Sequence, residues 1–98
     1  MTTFEWDPFK AEANIEKHDV SFSSAAKVLL GLALTRSADG ESENRFTSLG
    51  VLQGRAIVVV WTPRANAVRI ISARRARRNE REAYRQAVES AGRALGPA

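Results

Sequence analysis

Six apolar residues stand in a row inside Arg55–Thr62, the stretch RAIVVVWT. The run is short and rich in β-branched residues, so it reads as a strand rather than a helix. It does not alternate apolar with polar, so both of its faces must be covered. Gln53-Gly54 before it forms a plausible tight hairpin from the strand Arg45–Leu52. Pro63–Asn66 after it reads as the next turn, leading to a strand over Ala67–Ala73. A chain of 98 residues has room for one domain and one modest core. It must therefore assemble a sheet around this strand and still supply helices to pack on it.

The flanking sequence supplies those pieces. Phe4-Glu5-Trp6 alternates as a short strand. Asp7-Pro8 is a helix start, with Asp as N-cap and Pro at the first helical position. That helix should run to His18, with Ala11, Ile15 and His18 on one face. Ser21 can cap a second helix carrying the stripe Phe22, Ala25, Ala26 and Leu29, and Gly31 ends it. Leu32–Arg36 reads as a strand, and SADGESEN as a loop. A last helix from about Arg77 places Ala76, Ala83, Tyr84, Ala87, Val88, Ala91 and Leu95 at helical spacing, with 91–98 expected to fray. The expected fold is α+β: a short N-terminal strand, two helices, an antiparallel sheet of three or four strands, and a C-terminal helix in a single domain, 1–98.

Charge is divided unevenly along this order. Through Gly50 there are five Lys/Arg against eight Asp/Glu; from Val51 onward, ten Arg against three Glu, and no lysine. Six arginines fall within Arg69–Glu82, RIISARRARRNERE. Solubility, a partner protein and a polyanion such as RNA all remain open as explanations. The arginine-only usage points to recognition through planar guanidinium forks, or equally to a GC-rich coding sequence. Cations at the start of the last helix oppose its dipole by roughly 0.3–1 kcal/mol each, which slightly favours a binding role toward an anion.

Several classes drop out. No apolar run reaches the ~18 residues of a membrane span, and no signal-peptide pattern opens the chain, so a cytoplasmic location without membrane contact is expected. With no cysteine there is no disulfide and no thiolate metal site. No glycine-rich phosphate loop, G-x-S-x-G or HExxH occurs. The only dense acidic group, Asp39, Glu41 and Glu43, lies in the expected loop and reads as solvated, so neither a metal nor another cofactor is expected. No helix-turn-helix pattern offers a helix for the major groove of DNA.

RNA can be cleaved without metal when its 2′-hydroxyl attacks the adjacent phosphorus. The protein must then take one proton, donate another and stabilise added negative charge. Guanidinium groups suit the last task. His18 suits a proton role, or it simply closes a helix in keeping with the dipole. Arg45 begins a strand, and either pairs with Glu41 or Glu43 or projects from the sheet. Arg64 lies in a turn where it can meet a ligand. Strict alternation puts Arg69, Ile71, Ala73 and Arg75 on one face, with Val68, Ile70, Ser72 and Arg74 on the other. Arg77, Arg78 and Arg81 open the last helix. Trp6 and Trp61 can stack on bases, but in so small a core they are expected to be buried.

The segments FEWDPFKAEANIEKHDVSF, ENRF, VVVWTPR and RIISARRARRNEREAY, in this order, resemble the BrnT family of ribonuclease toxins of type II toxin–antitoxin systems. The resemblance covers Phe4 to about Tyr84. It implies a RelE-like α+β fold, metal-independent cleavage of RNA that inhibits translation, and an antitoxin like BrnA that neutralises the toxin and carries the complex to operator DNA. Carried over by position, the polar residues are Lys10, Asn14, Lys17, His18, Arg45, Arg64, Arg69, Ser72, Arg74 and Glu80. Of these, His18, Arg45, Arg64, Arg74 and Glu80 are the catalytic candidates. Lys17, Arg69, Arg75, Arg77, Arg78 and Arg81 are the candidates for holding RNA. There are three departures from the family pattern: Asp19 for a usual Gly, Ser23-Ser24 where a Glu is usual, and Arg77 for a usual Thr. The alternative function is a non-catalytic module that binds RNA or an antitoxin.

Overall fold

The structure, a computed structural model, describes residues 2–38 and 44–95. Eight elements follow in order: β1 Phe4–Glu5, α1 Pro8–His18, α2 Phe22–Leu30, β2 Ala33–Ala38, β3 Arg45–Leu52, β4 Arg55–Arg64, β5 Ala67–Arg75 and α3 Arg78–Leu95. The strands form one sheet in the order β1-β5-β4-β3-β2. The α+β class stands. The sheet has five strands rather than three or four, because β1 joins it, and β1 pairs parallel to β5. Residues 96–98 and the acidic group Asp39, Glu41 and Glu43 lie outside the described residues.

Local chemistry explains the element ends. Asp7 caps α1 by accepting from the backbone N–H groups of Phe9 and Lys10, with Pro8 at the first helical position. Asp19 ends α1 in the left-handed region, at φ 55° and ψ 39°. That is where a Gly would be unstrained, and Asp is among the side chains that tolerate it. Ser21 caps α2 through the Ser24 N–H. Gln53 and Gly54 both take positive φ, as a two-residue hairpin matched to strand twist requires.

One face of the sheet is closed by α1 and α2. Val20, Phe22, Ala25, Val28, Ile57, Val59, Ile70 and Ala73 form its buried core, where each larger apolar side chain stabilises by about 1.5–3 kcal/mol. Trp6 meets Phe22 edge-on, and Trp61 stacks on Phe46 while donating to Ser48 Oγ at 2.8 Å, so both indoles pack within the protein. Gly50 permits the close approach of α2: a Cβ there would lie 3.0 Å from Val28 Cγ1.

Three local expectations are corrected. Pro63 and Arg64 continue β4, and the turn is Ala65-Asn66. Pro63 is tolerated because the β3–β4 register stops at Phe46–Trp61, so no β3 partner needs its missing N–H. On α1 the buried position is Asn14, whereas Ile15 is exposed. In β5 a bulge opposite Val60/Trp61 leaves Ile71 unpaired, so Ile70 and Ala73 face the same core although three residues apart.

Candidate functional site

The bulge sorts the arginines of β5. With Ala73 turned toward α1 and α2, Arg74 falls on the opposite face, in register with Val58. Arg69 shares that face through its partner Thr62, and Ser72 through Val60. Extending the register across the sheet builds two rows there. One runs Leu34, Leu49, Val58, Arg74; the next runs Arg36, Thr47, Val60, Ser72. Arg45, beside Ala38, and Arg69, beside Glu5, stand beyond the second row. From β2 to β5 is three strand spacings, about 14 Å.

Among the described residues only one end of this face is roofed. Ala76, just before α3, and Tyr84 of α3 pack over Leu49, Val58 and Ala56. Where the roof stops, a hollow of about 190 Å³ opens between sheet and helix, lined by Arg36, Thr47, Asn79, Glu80 and apolar neighbours. Arg74 and Glu80 form a two-pronged ion pair at its edge: Nη1 to Oε1 and Nη2 to Oε2, each 2.8 Å. Glu80 Oε1 also accepts from the Arg77 backbone N–H at 2.7 Å. Glu80 is the third residue of α3, so it supplies half of a capping box. Arg77, at the cap position, has no side-chain acceptor to supply the other half. The Arg74 guanidinium, helped by the Arg77 N–H, holds the Glu80 carboxyl down at about 2. Arg74 is pushed up by the same contact. Both are fully charged at neutral pH.

The remaining candidates are placed elsewhere. Arg75 points to the α1 side and pairs with Asp19 at 3.1 Å, where Arg55 Nη2 also donates to the Asp19 carbonyl. Lys17 and His18 are exposed at the end of α1 on that side. Arg64 lies 4.0 Å from Glu5 at the far end of the arginine-bearing face. Arg77 and Arg78 are exposed at the start of α3, and Arg81 turns back to donate to the Ala76 carbonyl. The structure therefore pairs Arg74 with Glu80 and places Arg45, Arg69 and Arg64 farther along the same sheet face. His18, Lys17 and Arg75 stand across the sheet.

Asn14 has a scaffold position. Its Nδ2 donates to the carbonyls of Val20 (2.9 Å) and Ala73 (2.7 Å), and its Oδ1 accepts from the Ala73 N–H at 3.2 Å. The amide thus does for the edge of β5 what a sixth strand would do, just past the short β1. Arg36 and Asn79 were not singled out from the sequence. Arg36 sits two residues after Leu34 on one strand face, but only the β2–β3 register shows that this face is the one with Arg74.

A sheet face that carries several guanidinium groups, with one carboxylate locked to an arginine, gives this α+β protein the chemistry to bind an anion. Residues 6–80 match the family model described as the ribonuclease toxin BrnT of type II toxin–antitoxin systems, and the chain belongs to that family. No curated protein matches the chain. Among the described residues no helix is long and apolar enough to cross a membrane.

Proposed function

We propose that this chain is an endoribonuclease toxin that cuts RNA on the open sheet face without a metal ion, slowing translation until a BrnA-like antitoxin binds it. The observation that carries the reading is the Arg74–Glu80 pair at the rim of a hollow shared with Arg36. Arg45, Arg69 and Arg36 hold the phosphodiester backbone. Arg74 faces the reacting phosphate and neutralises its added negative charge as the 2′-oxygen attacks and the 5′-oxygen leaves. In the free protein Glu80 is a weak base, because Arg74 depresses it. A phosphate that takes the guanidinium fork removes that influence, and Glu80 becomes a better acceptor for the 2′-hydroxyl proton, which then passes through water to the departing 5′-oxygen. His18 stands on the other side of the sheet, so this route runs through Glu80. The antitoxin complex, rather than the toxin alone, would contact operator DNA. The cytoplasm, where RNA and ribosomes are, is the place of action.

The test is incubation of purified protein with RNA and excess EDTA. Fragments ending in 2′,3′-cyclic phosphate and 5′-hydroxyl groups are expected, and metal-dependent cleavage would reject the mechanism. Binding with a steep salt dependence but no cleavage would instead support a second reading, a non-catalytic RNA- or antitoxin-binding module. Glu80, the carboxylate lining the hollow, is held down at about 2 by Arg74, which favours that alternative.

A further inference from the structure

Among the described residues the apolar face of α3 is only half covered. Ala76 and Tyr84 pack on the sheet, and the Tyr84 hydroxyl donates to the Leu32 carbonyl at 3.1 Å, pinning the helix to the start of β2. Beyond that pin, Ala87, Val88 and Ala91 continue the stripe beside Leu32, Ala33 and Leu34, lining an apolar groove of about 350 Å³. Leu32 is 74% exposed and Val88 39%. β2 is also an outer strand of the sheet. A helix of this length gains most of its stability from burying its apolar face, so an uncovered half calls for another element.

Two observations say what covers it. The groove runs directly into the hollow at the active face, because Leu34 lines both and Ala83 and Tyr84 are adjacent on α3. Cationic side chains flank it: Arg36 at the hollow, and Arg81 beside Tyr84 and Val88 on the other flank of α3. We propose that this groove seats an amphipathic helix of the partner antitoxin. Aliphatic residues of that helix lie against Leu32, Val88 and the small residues Ala87 and Ala91, and carboxylates at one end reach Arg36. Neutralisation then works by continuity: the segment held in the groove extends over the hollow and excludes RNA. This rests on the reading of the chain as a toxin with a protein antitoxin.

The experiment uses the full chain with the antitoxin encoded beside it. Leu32→Glu and Val88→Glu place a charge against the aliphatic residues proposed to lie there, and Phe9→Glu, on α1 and 81% exposed, is the control. Antitoxin affinity should fall at least tenfold for the two groove variants and stay within twofold for the control. Growth arrest without antitoxin should persist in all three, while rescue by antitoxin is lost in the first two. Should Val88→Glu unfold, Leu32→Glu still reports from outside the regular elements. Hydrogen exchange on the unaltered complex gives an independent readout: protection over 32–38 and 83–91 supports the proposal. Parental affinity in both groove variants, or protection confined to α1, overturns it. A dimer of the chain alone that Val88→Glu disperses, with antitoxin affinity unchanged, also overturns it, assigning the groove to a second copy. A chain that binds antitoxin here but cleaves no RNA leaves the groove assignment standing and removes the enzyme reading.

Discussion

The two faces of the sheet are made from alternate residues of the same strands, yet they are finished differently. The face under α1 and α2 is sealed by aliphatic and aromatic side chains, and its one buried amide, Asn14, makes three hydrogen bonds. Among the described residues the opposite face is roofed only at one end by α3 and elsewhere carries arginine, threonine and serine. Packing accounts for the first face almost completely. The second leaves charge and hydrogen-bonding capacity turned toward solvent, an arrangement with little value for stability and high value for binding an anion. In a chain this small, the apolar core and most of the arginines of β5 occupy separate sides of one layer.

Substitutions across the sheet should separate the two. The largest effect is expected from Arg74→Ala, which removes the guanidinium proposed to face the reacting phosphate. RNA cleavage should drop about 10²–10³-fold while the melting temperature shifts only slightly. Undiminished cleavage would detach Arg74 from the site. Asn14→Ala should do the reverse. It strips partners from the N–H and C=O of Ala73 and the C=O of Val20, costing about 3 kcal/mol in denaturant unfolding, with cleavage per folded molecule retained. A variant that unfolds normally but cuts poorly would move Asn14 from scaffold to site.

Acid should reveal a smaller coupling between the functional face and α3. The folded Glu80 carboxyl is depressed to about 2 by Arg74 and the Arg77 N–H, below its unfolded value. Its contribution is therefore present above pH ~4.5 and lost as pH falls toward ~2. Because the pair is partly exposed, that contribution is about 1 kcal/mol after screening. Comparing the acid unfolding of the parent with Glu80→Gln measures it; identical curves would show the pair to be energetically idle. The smallest effect is expected from Arg77→Thr, which completes the capping box with Glu80. It should stabilise the protein by about 0.5–1 kcal/mol, read as a raised melting temperature, while RNA binding weakens slightly through the lost charge.

Much of this was legible in the chain. The uninterrupted run Ala56–Trp61 required a central strand covered on both faces, and β4 is that strand. Asp7-Pro8, Ser21 and Gln53-Gly54 marked boundaries because caps and tight turns depend on residues adjacent in sequence. The crowding of arginine after Val51 leaned only slightly toward an anionic partner, since solubility and coding bias explain it too. Three features needed the folded structure. The bulge at Ile71 reversed the alternation of β5, and a single extra residue leaves no mark in a periodic pattern. Asn14 looked like one more polar residue on a helix, because its three bonds reach 6 and 59 residues away. Arg36 joined the site only through pairing between strands that a loop separates.

The sequence by itself determined the elements, their capping, and the sign of the charge they carry, since these follow from interactions within a few residues. The tertiary structure alone decided which arginines share a surface. Strand register, the bulge and the helix on each face are set by contacts distant along the chain, and a shift of one residue in β5 would exchange Arg74 for Arg75 at the site.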